Sequence, residues 1–218
     1  MVLPTRARSW KRRRRPRYPC TPPRQCSTPL VLGFEHRTDA ERFLRHWQDR
    51  LRTFGLALHP DKTRLIEFGR HAADNRKQRG ENKPESFDFL GFTHICAKSG
   101  NGRFWLKRIT ISKRMRAKLK AVNDQLRRRM HQSIPEQGRW LASVVRGYMA
   151  YYAVPGNYEA VAAFCDQVTR YWLKALRRRS QKTRVDWTRM VRIRKRWLPP
   201  VRVMHPFPEA RFAATHPR

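Results

Sequence analysis

Apolar and polar positions change rhythm twice along the chain. Residues 1–29 carry no hydrophobic period; they are rich in Arg and Pro, with an unbroken basic run over 11–15. That composition predicts a disordered arm, open to three readings: a nucleic-acid-binding arm, a solvated tail, or the product of an altered reading frame. From Leu30 the texture changes. Residues 30–34 form a short apolar run expected as a strand, and Thr38 with Glu41 makes a T-x-x-E capping box that opens a helix. Ala40, Phe43, Leu44, Trp47, Leu51 and Phe54 recur at helical spacing, and Gly55 ends that helix as a C-cap glycine. Leu56 and Leu58 start a second strand, Leu65, Ile66 and Phe68 a third, and 70–84 is polar enough to read as a long loop. "FDFLGFTHIC" reads as one buried strand containing Gly91, with Phe87, Phe89, Leu90 and Phe92 in the core; "KSGNGRFW" closes a hairpin.

After Thr110 the period lengthens from two to nearly four. Met115, Leu119, Val122, Leu126 and Met130 form a stripe on a helix expected to be capped by Ser112. A second helix, over 136–153, carries Trp140, Leu141, Val144, Val145, Tyr148 and Tyr152 before "VPGN" breaks it. A third, over 158–179, buries Val161, Phe164, Val168, Trp172 and Leu176, and a fourth spans 187–197 and stops at Pro199 and Pro200. The pattern predicts an α+β fold: a disordered N-terminal arm over 1–29, a partial antiparallel sheet with one helix over 30–111, an α-helical bundle over 112–198, and an extended tail over 199–218.

Charge narrows the function. The 218 residues hold 50 Lys or Arg against 16 acidic residues, a formal charge of +34. Self-repulsion of that size is best relieved by a polyanion, so nucleic acid leads the partner classes, ahead of an anionic membrane surface and of acidic proteins. No apolar stretch approaches the roughly 18 residues of a spanning helix. Within 112–196 alone, 22 Lys or Arg face 5 acidic residues, which marks the bundle itself as the polyanion binder. Cys20, Cys26, Cys96 and Cys165 are scattered, as free thiols of a cytoplasmic protein would be, and no His–Cys spacing suggests a structural metal. No secretory signal is expected, because the basic start is not followed by an apolar core.

The segments "VLGFEHRTDAERFL", "FGLALHPDKTRLIEFGR", "FDFLGFTH" and "WLASVVRGYMAYYAVPGN", in that order, resemble the C-terminal half of bacterial group II intron reverse transcriptases, also called intron-encoded maturases. The resemblance runs from about Val31 to the end of the chain. It implies that 31–111 is the end of a polymerase palm and 112–196 the thumb, or maturase domain, which grips intron RNA and assists its splicing. It also implies an aromatic-Ala-Asp-Asp motif just before "VLGF", and here Ser27, Thr28 and Pro29 stand there instead. Nucleotidyl transfer needs carboxylates that clamp two divalent ions about 4 Å apart. The expectation is therefore a truncated remnant, without fingers or catalytic aspartates, that binds group II intron RNA or other structured RNA and polymerises nothing. No cofactor is expected; Mg²⁺ would enter only with a separate palm and fingers fragment supplying the acids. Two alternatives stay open: one piece of a split RNA-directed DNA polymerase, and a decayed gene product. Glu35, Asp39 and Glu41 are expected to serve the start of the first helix rather than a metal.

Candidate contacts follow from residue type and position. Lys62, in "HPDKT", matches a segment that the resemblance places near the active site, where a cation meets phosphate; a polar turn alone would also explain it. Arg146, Tyr148, Tyr151 and Tyr152 put a guanidinium and three rings within two helical turns, a set suited to unpaired bases. By helical spacing Tyr148 and Tyr152 share the buried face, which leaves Arg146 and Tyr151 for RNA. Arg170, Lys174, Arg177, Arg178, Arg179 and Lys182, with Arg184 beyond, extend the third helix as a basic run suited to phosphate.

Overall fold

The computed structural model describes residues 24–25, 30–179 and 185–207. It is mixed α+β, with six helices and a three-stranded antiparallel sheet among the described residues. The chain falls into two compact units, 1–65 and 66–218.

The first unit holds β1 (Arg24–Gln25), α1 (Arg37–Thr53) and β2 (Leu56–Ala57), with β1 and β2 paired in parallel. The expectation of disorder over 1–29 thus fails at Arg24 and Gln25, while the rest of that segment lies outside the described residues. The apolar run 30–34 is not a strand: Leu30 is 61 % exposed, and no described strand pairs with it. A run of apolar residues becomes a strand only where a neighbour accepts its backbone hydrogen bonds. Nor does Thr38 cap α1. The N-cap is His36, without a side-chain bond, and Glu41 instead pairs with Arg37 one turn away at 2.8 Å. The expected face is partly realised, since Ala40 and Leu51 are buried, Phe43 stacks against Trp47 at 5.9 Å, and Phe54 is exposed. Gly55 follows the helix at φ +67°, the left-handed conformation of a helix-ending glycine.

The second unit opens with two corrections. Leu65, Ile66 and Phe68 form no strand, and the expected loop over 70–84 contains α2 (Ala72–Gln78). Only Ala72 of this helix is buried. Ion pairs flank it, with its C-cap residue Arg79 pairing with both Glu67 and Glu81 and holding their carboxyls below the ordinary range. "FDFLGFTHIC" is two strands, β3 (Phe87–Phe89) and β4 (Phe92–Lys98), because Leu90 and Gly91 adopt φ +46° and +88° and reverse the chain in two residues. Positive φ at both turn positions matches the right-handed twist of the flanking strands. Leu90, expected in the core, is 56 % exposed at the tip. β5 (Phe104–Thr110) completes the sheet in the order β3-β4-β5, joined to β4 by the hairpin expected from the Gly-Asn-Gly sequence.

Four helices follow: α3 (Ser112–Arg128), α4 (Ile134–Tyr152), α5 (Tyr158–Arg179) and α6 (Trp187–Trp197). α3 begins after Ile111, so Ser112 is its first residue rather than its cap. α4 starts earlier than its apolar stripe, at a capping box in which Ser133 and Glu136 bond each other's backbone N–H. α3 packs chiefly on α5, and α4 meets both α5 and α6. Val122, Leu126, Leu141, Val145, Phe164, Val168 and Trp172 form the centre of one continuous core.

Two buried polar side chains organise this unit. The Gln137 amide donates to the carbonyls of Arg129, Met130 and Gln132 at 2.9–3.2 Å, and its oxygen accepts the Trp172 indole N–H at 2.7 Å. These carbonyls lie at the cap of α3 and in the turn that follows it, so the amide ties that turn to Trp172 of α5. Asn157, 1 % exposed, accepts the Thr110 N–H at 3.0 Å and donates to the Thr110 hydroxyl at 2.7 Å and to the Tyr152 carbonyl at 2.8 Å. It ties the end of β5 to the turn between α4 and α5. Asn157→Ala leaves the buried Thr110 N–H without its acceptor and is expected to cost about 1–3 kcal/mol, read as a lower urea midpoint; an unchanged midpoint would remove this role.

Candidate nucleic-acid interface

The distribution of ion pairs decides where a polyanion can sit. In α1, Arg37, Arg42 and Arg52 pair with Glu41, Asp39 and Asp49. Around α2, Arg76 and Arg79 are surrounded by Glu67, Glu81 and Glu85. The helices α3–α6 differ: among their described residues the one ion pair is Arg194–Asp166 at 2.6 Å. Glu136 is used in its capping box and Asp186 accepts the Arg189 N–H as the α6 cap. Most of the bundle's cations therefore have no internal counter-ion and project into water.

They form three surfaces. On α3, Lys113, Arg114, Arg116, Lys120, Arg127 and Arg128 are exposed opposite the buried Leu119, Val122 and Leu126. On α5, Arg170, Lys174 and Arg178 are exposed at helical spacing and make one stripe. Arg177 and Arg179 are exposed beside it, and the Arg177 Nε donates to the carbonyl of Val185, just before the α6 cap, at 2.8 Å. Lys182 lies outside the described residues. On α6, Arg189, Arg192 and Arg196 line an apolar groove of about 310 Å³ with Ile134, Ile193 and Trp197. Sequence reasoning missed this third surface, although Arg at i, i+3 and i+7 in "RMVRIRKR" was a readable signal.

Arg146 and Tyr151 do not act together. Arg146 is exposed and lines a cleft of about 450 Å³ between α4 and the segment after α6, where Arg202 is a second cation that the sequence did not single out. Tyr151 is 49 % exposed, but its hydroxyl donates to the Leu90 carbonyl at 2.6 Å and its ring stacks on Phe92 at 5.7 Å. One face and the polar end of that side chain thus hold the β3–β4 turn. Gly91 is where the backbone is closely approached: a Cβ there would lie 3.2 Å from the Tyr152 hydroxyl and 3.5 Å from the Tyr151 ring. Tyr148 and Tyr152 pack inward as expected, Tyr148 stacking on Phe164 at 3.7 Å, and burial pushes the Tyr148 phenol up to about 12. Lys62 is exposed in the compact unit that ends at Leu65, in the turn after β2, with its N–H donating to the His59 carbonyl at 3.2 Å.

No family model, curated protein or solved structure matches this chain. Among the described residues no helix is long and apolar enough to cross a membrane.

Proposed function

We propose that this chain is a maturase-like protein that binds structured RNA, group II intron RNA above all, through the cationic faces of α3, α5 and α6, and that it has no polymerase activity. The observation that carries the reading is the bundle's excess of exposed Lys and Arg over carboxylates, with a single ion pair among its described residues. Arg37, Arg42 and Arg52 of α1 and Arg76 and Arg79 around α2 pair with neighbouring acids, whereas the 22 Lys or Arg of 112–196 face 5 acidic residues, so the bundle's helices offer a stronger field to phosphates than those two helices do. The maturase assignment rests on the order of the four sequence segments, and the lack of polymerisation on Ser27, Thr28 and Pro29 in place of the paired aspartates.

The test uses the purified full chain with a folded group II intron transcript in low-salt buffer. Filter binding is expected to show a retained complex, and a primed template with Mg²⁺ and deoxynucleotides is expected to yield no extension product. Absence of any complex overturns the RNA-binding reading. Template-dependent extension overturns the second half.

A further inference from the structure

We propose that the cleft between α4 and residues 199–204 receives a single unpaired nucleotide of the bound RNA; this rests on the RNA-binding reading and names the site within it. The cleft holds about 450 Å³ and is walled by Arg146, Gly147, Pro199, Pro200, Arg202 and Met204. Its shape is preformed, because the Met204 N–H donates to the Ala153 carbonyl at 2.8 Å and the His205 ring bonds the Ala150 carbonyl at 2.7 Å. Both anchors fasten the far wall to the last turns of α4.

Gly147 is the observation that points to an occupant. It sits inside a helix, where glycine is a poorer helix former than any residue except proline. Neither backbone nor packing demands it: its φ is not left-handed, and a Cβ built there meets nothing within 4 Å. Contrast Gly138 in the same helix, where a Cβ would lie 2.6 Å from the Trp197 ring. What Gly147 provides is open space in the lining of the cleft. The chemistry of the walls selects what fills it. Two guanidiniums and no carboxylate line the cleft, which suits a phosphate and excludes a cationic partner. Proline rings and methionine thioethers offer flat or adaptable apolar contact to a base, which every nucleotide supplies without regard to sequence. A volume of this order admits one ligand-sized unit and not a double helix, so the nucleotide must come from a loop, bulge or strand end.

Gly147→Phe puts a ring into the cleft from its own helix, starting from a Cβ that meets nothing within 4 Å. The probes are an RNA hairpin with an unpaired loop and a blunt duplex of the same stem, each followed by fluorescence anisotropy at one salt concentration. The wild-type chain is expected to prefer the looped RNA by about tenfold, the factor carried by one modest base contact. In Gly147→Phe that ratio is expected to fall towards one, while Gly147→Ala, too small to fill the space, keeps it. A preference retained in a Gly147→Phe protein that melts no lower than wild type overturns the site, and so does a wild-type chain that binds both RNAs equally. Should Gly147→Phe fail to fold, Arg202→Gln replaces it, with the same ratio as readout and the same outcomes. If neither RNA binds the wild-type chain, the broader RNA-binding reading falls; if both bind and the plug changes nothing, only the cleft does.

Discussion

Raising salt from about 50 to about 200 mM is expected to weaken binding of a folded RNA by roughly a thousandfold, the loss that accompanies release of counter-ions from about six phosphates. The geometry supports that number of contacts. Arg170, Lys174 and Arg178 form one exposed stripe on α5, Arg189, Arg192 and Arg196 line another on α6, and α3 adds a third set. Each cation engaged contributes a slope of about −0.7 to −0.9 in log affinity against log salt. Replacing Arg170, Lys174 and Arg178 by Gln should therefore flatten the slope by about two and weaken binding to all structured RNAs alike, since phosphate contacts carry no sequence information. A salt-independent affinity would show that the unpaired cations are not the binding surface. An unchanged slope in the triple variant would remove the α5 stripe specifically.

Gln137→Leu should produce the largest stability loss of any single change considered for this fold. The substitution keeps a side chain of suitable size inside the bundle but leaves the buried Trp172 indole N–H without its acceptor and removes the amide's bonds to the half-buried turn carbonyls of Met130 and Gln132, while the Arg129 carbonyl keeps the Gln132 N–H. The stranded indole N–H costs about 1–3 kcal/mol and each lost bond to the turn about 1 kcal/mol more, so a loss of about 4 kcal/mol is expected. Against the roughly 5–15 kcal/mol of a typical domain that is a large share. Urea unfolding followed by far-ultraviolet circular dichroism measures it. Adding Trp172→Phe removes the orphaned donor, and the double variant should lose less than the two single losses combined. Strict additivity would mean that the pair does not act as a unit.

The long helices were legible in the sequence because their apolar stripes persist over three or more turns. Val161, Phe164, Val168, Trp172 and Leu176 are all buried, and α6 begins and ends where the pattern placed it. What failed was structure whose cause lies outside the local pattern. Residues 30–34 look like a strand, but strand formation depends on a pairing partner that five apolar residues do not encode. The β3–β4 turn was hidden because Leu90 occupies a position where Asn or Gly would have announced positive φ. α2 was hidden because Ala72 is its one buried residue, so no apolar stripe marks it.

The candidate interface was legible to a similar degree. The basic run of α5 and Arg146 follow from residue type alone. Arg202 does not, since only the fold brings the segment after α6 back beside α4. Tyr151 illustrates the opposite error: an aromatic ring off the apolar stripe reads as free for a ligand, whereas its hydroxyl is engaged by Leu90, distant in sequence. Gln137 was detectable, because a polar residue four positions before Leu141 lies on the apolar face and needs partners there.

The knot made by Asn157 also bears on how the molecule can be dissected. A recombinant fragment starting at Ser112 would keep every bundle helix yet discard Thr110, and with it two of the bonds to that amide, while Trp105 would vacate its place against Gly156. A cut before Ile66 retains all of them, so the smallest piece suited to crystallisation carries its hairpin strands along with the helices.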